Sequence, residues 1–139
     1  MENRIKSTLD DYARAYCAKD IDAMMAVFDD SDNISAIGTG AEELCVGRTQ
    51  VKELFARNFE EATANKFEWL WVDTRILDNH AVMSVRMIIH LNYQGEDLCV
   101  PIRWTVVLKE KNGNWVWVHR HASTPAANQD EGEAYPTER

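Results

Sequence analysis

The chain has 139 residues, of which 45% are hydrophobic and 27% are charged, and this is the size and composition of one soluble globular domain. It carries 15 basic against 23 acidic residues, which gives a formal net charge of −8 at pH 7. This charge argues against nucleic acids and anionic membranes as partners, because both require a basic surface. Three scattered cysteines fit neither a disulfide framework nor a zinc site, and the polar N-terminus has no apolar secretion segment. The expectation is a reduced, cytoplasmic protein.

The first half of the chain has the hydrophobic spacing of helices. Residues 2–18 place their apolar side chains on one stripe, which predicts a first amphipathic helix. Asp20 is a candidate N-cap for a short second helix that runs to Phe28. Thr49 is a candidate N-cap for a third helix that ends near Ala62.

Extended segments account for most of the remaining chain. Two short strands are predicted at 34–37 and 44–46. After Lys66 the hydrophobic period changes from 3.6 to 2, and turn sequences divide the region into four strands, at 67–77, 81–93, 98–111 and 115–123. Their short connections make consecutive strands antiparallel neighbours, and strands of this length twist and curl. The prediction is an α+β fold in which a curved sheet offers a concave face to three helices.

The end of the chain differs in composition from the rest. Residues 125–139 are polar and acidic, and we expect a flexible tail there. Residues 1–124 are then predicted to form a single domain, since no linker or internal repeat marks a second one.

The last predicted strand carries polar side chains beside aromatic ones. Trp115, Trp117, His119, His121 and Ser123 alternate along it, so a regular strand puts all five on one face. His119 and His121 are candidate catalytic residues, because neutral imidazole exchanges protons near pH 7. Two alternatives remain open: hydrogen-bonded core histidines, or histidines packed in a subunit interface. A metal site is not predicted, because no carboxylate or third histidine stands at a fixed short spacing.

Three aromatic or imidazole side chains are candidates for ligand binding. Tyr16, late in the first helix, can direct its phenol into the interior. Trp71 forms an i, i+2 pair with Trp69, and two indoles on one side of a strand suit either the wall of a ligand site or a core and interface surface. His90 alternates with less polar residues on its strand and is the third candidate.

Arg103 is a further ligand-binding candidate with three interpretations. An arginine on so apolar a strand would be costly to bury without a carboxylate or an anionic ligand. It is therefore an anion clamp within a pocket, the partner of a buried acid such as Asp73, or an outward-facing residue.

The register across the turn at 112–113 decides which side chains share a face with Arg103. A two-residue loop puts His121 opposite Trp104. A three-residue loop with a bulge puts His121 opposite Thr105, and Arg103 then shares the histidine face.

The order of elements and the closing motif resemble a known family. The motif Gly-x-Trp-x-x-x-His-x-His-x-Ser over residues 113–123, together with Arg-Trp-Thr at 103–105, is similar to SnoaL-like proteins and to the calcium/calmodulin-dependent kinase II association domain. Both belong to the nuclear transport factor 2-like superfamily. The similarity extends over about residues 3–124 and includes Phe-Asp-Asp at the end of the second helix and Gly-Arg at the start of the third.

The resemblance implies a cystatin-like, cone-shaped α+β fold, in which a curved antiparallel sheet wraps around three N-terminal helices. It also implies an interior pocket open at one end and dimerisation through the outer sheet face. The superfamily includes isomerases, dehydratases, polyketide cyclases and epoxide hydrolases as well as association modules, so the fold does not determine the activity. Ala122 stands where the association domain has an arginine, and residues 33–36 offer no match for the aspartate base of ketosteroid isomerases.

The sequence therefore predicts a homodimeric protein that binds a small organic molecule, with an anion among the candidates. If the protein is catalytic, the expected chemistry is cofactor-free proton transfer of the isomerase, dehydratase or cyclase type. His119 or His121 would be the acid/base group, and Tyr16 or Arg103 would polarise an oxygen. The alternative is a non-enzymatic ligand-sensing or association module. The expected partners are the ligand and a second copy of the chain, without nucleic acid, membrane, metal or cofactor.

Overall fold

The computed structural model describes residues 1–137, and within this range the chain forms three helices and one six-stranded sheet. The helices are α1 (Glu2–Ala18), α2 (Ile21–Val27) and α3 (Gly47–Glu61). The strands are β1 (Ser35–Ile37), β2 (Leu44–Val46), β3 (Thr63–Leu77), β4 (His80–Tyr93), β5 (Glu96–Lys111) and β6 (Asn114–Ser123). The α+β class predicted from the change of hydrophobic period is confirmed.

The strands follow the order β2-β1-β6-β5-β4-β3 across the sheet. Strands β3 to β6 form the predicted antiparallel meander, whereas β1 runs parallel to β6. Two of the turns, Gln94-Gly95 and Asn112-Gly113, have positive φ at both central residues. This backbone matches the right-handed twist of a hairpin, and glycine adopts it without strain.

A bulge in β6 reverses the predicted alternation of its side chains. Trp117 pairs with Leu108 and His119 pairs with Val107, so residue 118 is the extra residue. Trp117 therefore faces the helices, whereas His119 and His121 lie on the outer face. The prediction that the tryptophans and the histidines share one face is wrong, because it assumed a regular strand.

The same bulge selects between the two predicted registers. His121 pairs with Thr105 and Arg103 pairs with Ser123, so Arg103 lies on the histidine face. The turn itself is the two-residue type, since Lys111 pairs with the first residue of β6. The shift of register therefore arises inside the strand and not at the turn.

Strand β3 also differs from its prediction. It begins at Thr63, because the residues before Phe67 already pair with β4. A second irregularity separates Trp69 from Trp71: Trp69 packs against Trp104 inside, whereas Trp71 is 56% exposed on the outer face. The prediction that these two indoles share a face is therefore wrong, because the irregularity changes the alternation there.

The N-caps agree with the prediction for one helix and not for the other. Asp20 caps α2, with its carboxylate accepting an amide hydrogen of the first turn at 3.0 Å. Thr49 does not cap α3, because that helix begins at Gly47. The carboxylate of Asp32 instead accepts from the amide of Arg48 at 3.2 Å, so a residue from a preceding loop satisfies a free N–H of the first turn.

Aromatic side chains fill the space between α1, α3 and the sheet. Trp117 is fully buried, stacks on Tyr12 with 5.1 Å between ring centroids, and contacts Trp104 edge to face. Its indole N–H donates to the hydroxyl of Thr8 at 2.8 Å, so the polar atom of this large side chain is satisfied. This cluster joins the first helix to the last strand.

The segment after β6 has neither helix nor strand up to residue 137. Its flexibility stays a prediction, and residues 138 and 139 of the predicted tail lie outside the described residues. Among the described residues, no helix combines the length and the hydropathy that crossing a bilayer requires.

A buried carboxylate ties the loop after α2 to the end of β5. The Asp29 side chain is fully buried and accepts hydrogen bonds from Lys111 at 2.8 Å and Ser31 at 2.6 Å, with Lys109 at 3.3 Å. The hydrogen bond from Lys111, followed by that from Ser31, holds the pKa of Asp29 well below its usual range. The carboxylate is therefore ionised in the folded protein throughout the neutral range.

This cluster predicts a dependence of stability on pH. Because the pKa of Asp29 is lower in the folded than in the unfolded state, its stabilising effect is present above about pH 4 and is lost as the pH falls further. Asp29→Asn should lower the free energy of unfolding at pH 7 by about 2 kcal/mol and flatten this acid dependence. Urea titrations near pH 7 and near pH 2.5 measure both effects. Asp30→Asn, at an exposed neighbour, is the control, and an equal loss in both variants would contradict the assignment.

Candidate functional site

A cavity of about 260 Å³ lies between the inner face of the sheet and helices α1 and α3. The sheet contributes a mainly apolar wall that includes Ile89, Val100 and Trp104, and α1 contributes Tyr12 and Tyr16. The rest of the lining is polar and includes Glu43, Asn58, Glu61 and Arg120, so the cavity combines an apolar wall with groups that orient a polar ligand. The predicted position of Tyr16 facing this interior agrees with the structure.

The cavity is lined by a buried guanidinium. Arg120 on β6 is only 4% exposed, and it donates to the hydroxyl of Tyr12 at 2.9 Å and to the carbonyl of Ile37 at 3.3 Å. Its guanidinium carbon lies 5.5 Å from the ring centre of Phe55 and 5.9 Å from that of Trp104. These aromatic faces stabilise the cation where water does not reach it.

The charge of Arg120 is not balanced by an acidic side chain. Among residues 1–137, no carboxylate forms an ion pair with this guanidinium, and its Nε–H is buried without a hydrogen-bond partner. A buried cation and an unpaired buried donor both cost free energy until an anion or acceptor meets them. The unpaired guanidinium therefore favours an anion as its partner, although the side chains of Glu43 and Glu61 also line the cavity.

Two tyrosines add hydroxyl groups to this site. Burial raises the pKa of Tyr12, an effect that the nearby Arg120 opposes, and burial followed by the influence of Tyr12 raises the pKa of Tyr16. Both phenols are therefore protonated at neutral pH. The Tyr12 oxygen already accepts from Arg120, so its own O–H remains as a donor next to the guanidinium.

The loop between β1 and β2 closes one side of the cavity. Glu43 from this loop accepts the amide hydrogen of Gly40 at 2.8 Å and lies 3.7 Å from Arg57. A Cβ atom at Gly38 would come within 2.5 Å of the Glu43 carboxylate, so a larger residue there would displace the Glu43 side chain. Glu43 is thus engaged within its own loop and with Arg57, although it also lines the cavity.

A larger groove, of about 400 Å³, lies between α1 and α2 and is lined by small side chains, by Trp115 and by the charged residues Asp11, Arg14 and Asp20. Within the described part of the chain, the buried polar atoms without partners belong to Thr74 and Arg120, and neither lines this groove. The unpaired polar atom of Arg120 therefore favours the interior cavity as the candidate site, although the groove is larger.

The other predicted ligand-binding residues lie on the outer face of the sheet. Arg103 pairs with Arg86 and Ser123 across the strands and is exposed, which agrees with the outward interpretation and not with the anion clamp. Trp71 and His90 also face outward. The structure therefore brings only Tyr16 of the four predicted residues to the cavity.

The two predicted catalytic histidines also face away from the cavity. His119 is half-buried, and its Nδ1 lies 2.7 Å from the hydroxyl of Ser35 on β1. Burial, and then the neighbours His121 and Arg120, lower the pKa of His119, so this imidazole is neutral at pH 7. The ring centres of His119 and His121 are 6.4 Å apart. In this geometry neither imidazole reaches a ligand bound beside Arg120.

Arg120 is the residue that the sequence analysis missed. It stands between His119 and His121, and a regular strand would put it on the face opposite the buried tryptophans. The bulge at residue 118 brings it inside. No local signal distinguishes Arg120 from a surface arginine, because His119 and His121 flank it in the sequence. Among residues 1–137, no group of three or more His, Cys, Asp or Glu side chains has the arrangement of a metal site.

A curved, largely antiparallel sheet packed on three helices, with a cavity between the two layers, defines the class of nuclear transport factor 2-like, or cystatin-like, proteins. The chain belongs to the SnoaL-like domain family, whose model matches residues 5–127. The family resemblance predicted from the closing motif is thereby confirmed. No curated protein matches the sequence significantly.

Solved structures with the same fold have different descriptions. A candidate calcium/calmodulin-dependent protein kinase II association domain from Xanthomonas campestris has a TM-score of 0.78 and 18% identity, covering 88% of this chain and 86% of that one. A nuclear transport factor 2-like protein of unknown function from Pseudomonas putida has a TM-score of 0.77 and 16% identity, with 99% and 96% coverage. A candidate aromatic ring hydroxylase from Novosphingobium aromaticivorans has a TM-score of 0.77 and 19% identity, with 88% and 89% coverage. At these identities the likeness establishes the fold and not the activity.

Proposed function

We propose that this protein binds a small organic anion in the cavity beside Arg120. The observation that carries the proposal is a guanidinium that is 4% exposed, has no acidic partner among the described residues and retains an unpaired Nε–H. A carboxylate or enolate oxygen would supply both the missing charge and the missing acceptor.

The size and walls of the cavity narrow the class of ligand. Its volume of about 260 Å³ is below the range of drug-sized sites, so the ligand is small. Aromatic side chains surround the guanidinium, among them Tyr12, Phe55 and Trp104. Offset or edge-to-face contact with such rings favours a flat, partly apolar molecule. A compact aromatic or unsaturated carboxylate fits these features.

The same donors support a chemical role as an extension of binding. Arg120 and the Tyr12 hydroxyl would stabilise negative charge on an oxygen during cofactor-free proton transfer of the isomerase, dehydratase or cyclase type. His119 and His121 lie on the other side of the sheet and do not reach a ligand in this cavity, so they have no part in such a reaction. Ligand binding is therefore the proposed primary role. A non-enzymatic ligand-sensing or association module is the alternative to an enzyme.

Thermal unfolding with matched ligands tests the proposal. Small aromatic and unsaturated carboxylates should raise the unfolding temperature, whereas the corresponding uncharged amides should not, because a ligand stabilises the state that binds it. His121→Asn should leave this response unchanged, since the side chain is outside the cavity. Equal responses to acids and amides, or a response that His121→Asn removes, would contradict the proposed site.

We also propose that the protein forms a homodimer through the outer face of the sheet. This face presents the exposed indole of Trp71 beside Arg86 and Arg103, with the acidic side chain of Asp73 on the same surface. A two-fold contact needs one patch that carries both charges, so that each copy meets its complement. His119 and His121 belong to this surface and fit the interface interpretation of the sequence analysis.

The dimer predicts a specific effect of one aromatic side chain. Trp71→Ala should weaken self-association by about 30-fold or more, because an aromatic anchor at an interface contributes about 2 kcal/mol. Analytical ultracentrifugation over a range of protein concentrations measures the change. Tyr135→Ala, at an exposed aromatic residue outside the sheet, is the control. A monomeric parent chain, or equal effects of the two substitutions, would contradict the interface.

We propose a cytoplasmic location for the protein. The support is that Cys17, Cys45 and Cys99 are all free thiols, which suits a reducing compartment.

A further inference from the structure

A group of chemically reactive side chains lies on the outer face of the sheet, near the turn between β4 and β5. Cys99 and His90 are directly opposite each other on these strands, with the thiol Sγ 3.4 Å from the imidazole Nδ1. On the other side of the ring, Nε2 lies 2.8 Å from the carboxylate of Glu68 on β3. One imidazole therefore connects a thiol to a carboxylate.

The carboxylate determines which ring nitrogen carries the proton. Ionised Glu68 can only accept a hydrogen bond, so Nε2 of His90 is the donor. In the neutral ring Nδ1 is then an acceptor, and it faces the S–H of Cys99. A nucleophile, a base and a group that orients the base thus stand in sequence, which is the arrangement of activated nucleophiles. Proton transfer from sulfur to nitrogen leaves a thiolate beside an imidazolium that Glu68 stabilises.

The thiol is accessible, and there is room for a reagent beside it. Cys99 is exposed, and a surface cavity of about 340 Å³ is lined by Cys99, His90 and Lys66. The other charged groups around it are Asp97 on β5, which accepts from Asn92, and Glu68. Lys66 pairs with His90 across the strands and supplies a cation at the same surface.

The two other cysteines lie in a contrasting environment. Cys17 and Cys45 are half-buried, and burial raises the pKa of both thiols. A buried thiol loses less readily the proton that makes it a nucleophile. The chain therefore contains its own internal controls for a reactive cysteine.

We propose that Cys99, His90 and Glu68 form a thiol-exchange site for small disulfides that carry carboxylate groups, which Lys66 can pair. The Cys99 thiolate attacks one sulfur of the reagent, the S–S bond of the reagent breaks, and a new S–S bond forms to Cys99. The departing thiolate takes the proton held by His90. The products are a mixed disulfide on Cys99 and one free thiol, so the exchange needs no further oxidant or reductant.

Glutathione disulfide is the probe for this site, used with the full-length reduced chain. Mass spectrometry of the digested protein follows each cysteine separately. Cys99 should form the mixed disulfide at least roughly tenfold faster than Cys17 or Cys45 at pH 7. Equal or slower reaction at Cys99, including slow reaction caused by self-association that covers it, would overturn the proposal.

Substitution of the base separates activation from simple exposure. His90→Gln should slow exchange at Cys99 about tenfold at pH 7 and change the pH dependence of its rate, because the base that takes the thiol proton is lost. His80→Gln, at the opposite end of β4, is the matched control and should change neither quantity. Glu68→Gln should give a smaller decrease and serves as the second variant if His90→Gln does not fold. An unchanged rate and pH profile in the folded base variant would overturn the assignment.

Discussion

Arg120→Met should weaken the binding of small carboxylates by about 100-fold or more, because hydrogen bonds between charged groups contribute about 1.5–3 kcal/mol each. Methionine has a similar length and remains apolar, so the cavity keeps its shape but loses the cation. Isothermal titration with the carboxylate that gives the largest thermal response measures the loss. Arg103→Met is the matched control, since this arginine is exposed on the other face of the sheet and should leave the affinity unchanged.

The same substitution should have a different effect on stability. A buried cation without an acidic partner destabilises the folded state. Replacing buried charges by apolar side chains is therefore often neutral or stabilising. In Arg120→Met, however, the buried hydroxyl of Tyr12 loses its hydrogen-bond donor. The double variant Tyr12→Phe with Arg120→Met removes both groups, and we expect it to be at least as stable as the parent chain while it fails to bind. Loss of binding accompanied by unfolding in both variants would instead indicate a structural role for Arg120.

Trp117→Ala should lower the free energy of unfolding by about 3–5 kcal/mol, which is typical for removing a large buried aromatic side chain. Trp117 contacts aromatic rings from three parts of the fold, among them Tyr12 on α1, Phe28 after α2 and Trp104 on β5. Its loss leaves a cavity where the helices meet the last strand and removes the donor to Thr8.

Denaturant titration at one fixed protein concentration measures this effect, since self-association also contributes to apparent stability. Trp117→Phe should recover more than half of the loss, because most of the ring volume is kept. Tyr135→Ala, at an aromatic residue that is 78% exposed, should change stability by less than about 0.5 kcal/mol. A loss in Trp117→Ala no larger than in the Tyr135 control would show that this indole does not hold the two layers together.

Local sequence patterns were sufficient to predict most elements of the fold. The stripe of apolar residues over 2–18, the cap at Asp20 and the turn sequences between the long strands all act within a few residues, and all correspond to observed features. The parallel pairing of β1 with β6 joins segments about 84 residues apart and has no local signal. The cap of α3 by Asp32 likewise depends on how a preceding loop folds back.

The candidate site was harder to predict, because bulges decide on which face of the sheet each of its side chains lies. Alternation assigns each strand residue to a face, and one extra residue reverses every later assignment. The bulge at residue 118 directs Arg120 to the cavity and turns His119 and His121 outward. The inward position of Tyr16 follows from helical periodicity, which continues without such a break through α1, and its role in ligand binding stays a prediction. The free-energy cost of burying an arginine without an acidic partner, which the sequence analysis considered for Arg103, applies instead to Arg120.

The crystal structure of the complex with the tightest-binding carboxylate tests the central claim most directly. We expect electron density in the cavity between α1 and β6, with a carboxylate oxygen within about 3 Å of a guanidinium nitrogen of Arg120. Density for that ligand in the groove between α1 and α2, or on the outer face of the sheet with the cavity empty, would contradict it.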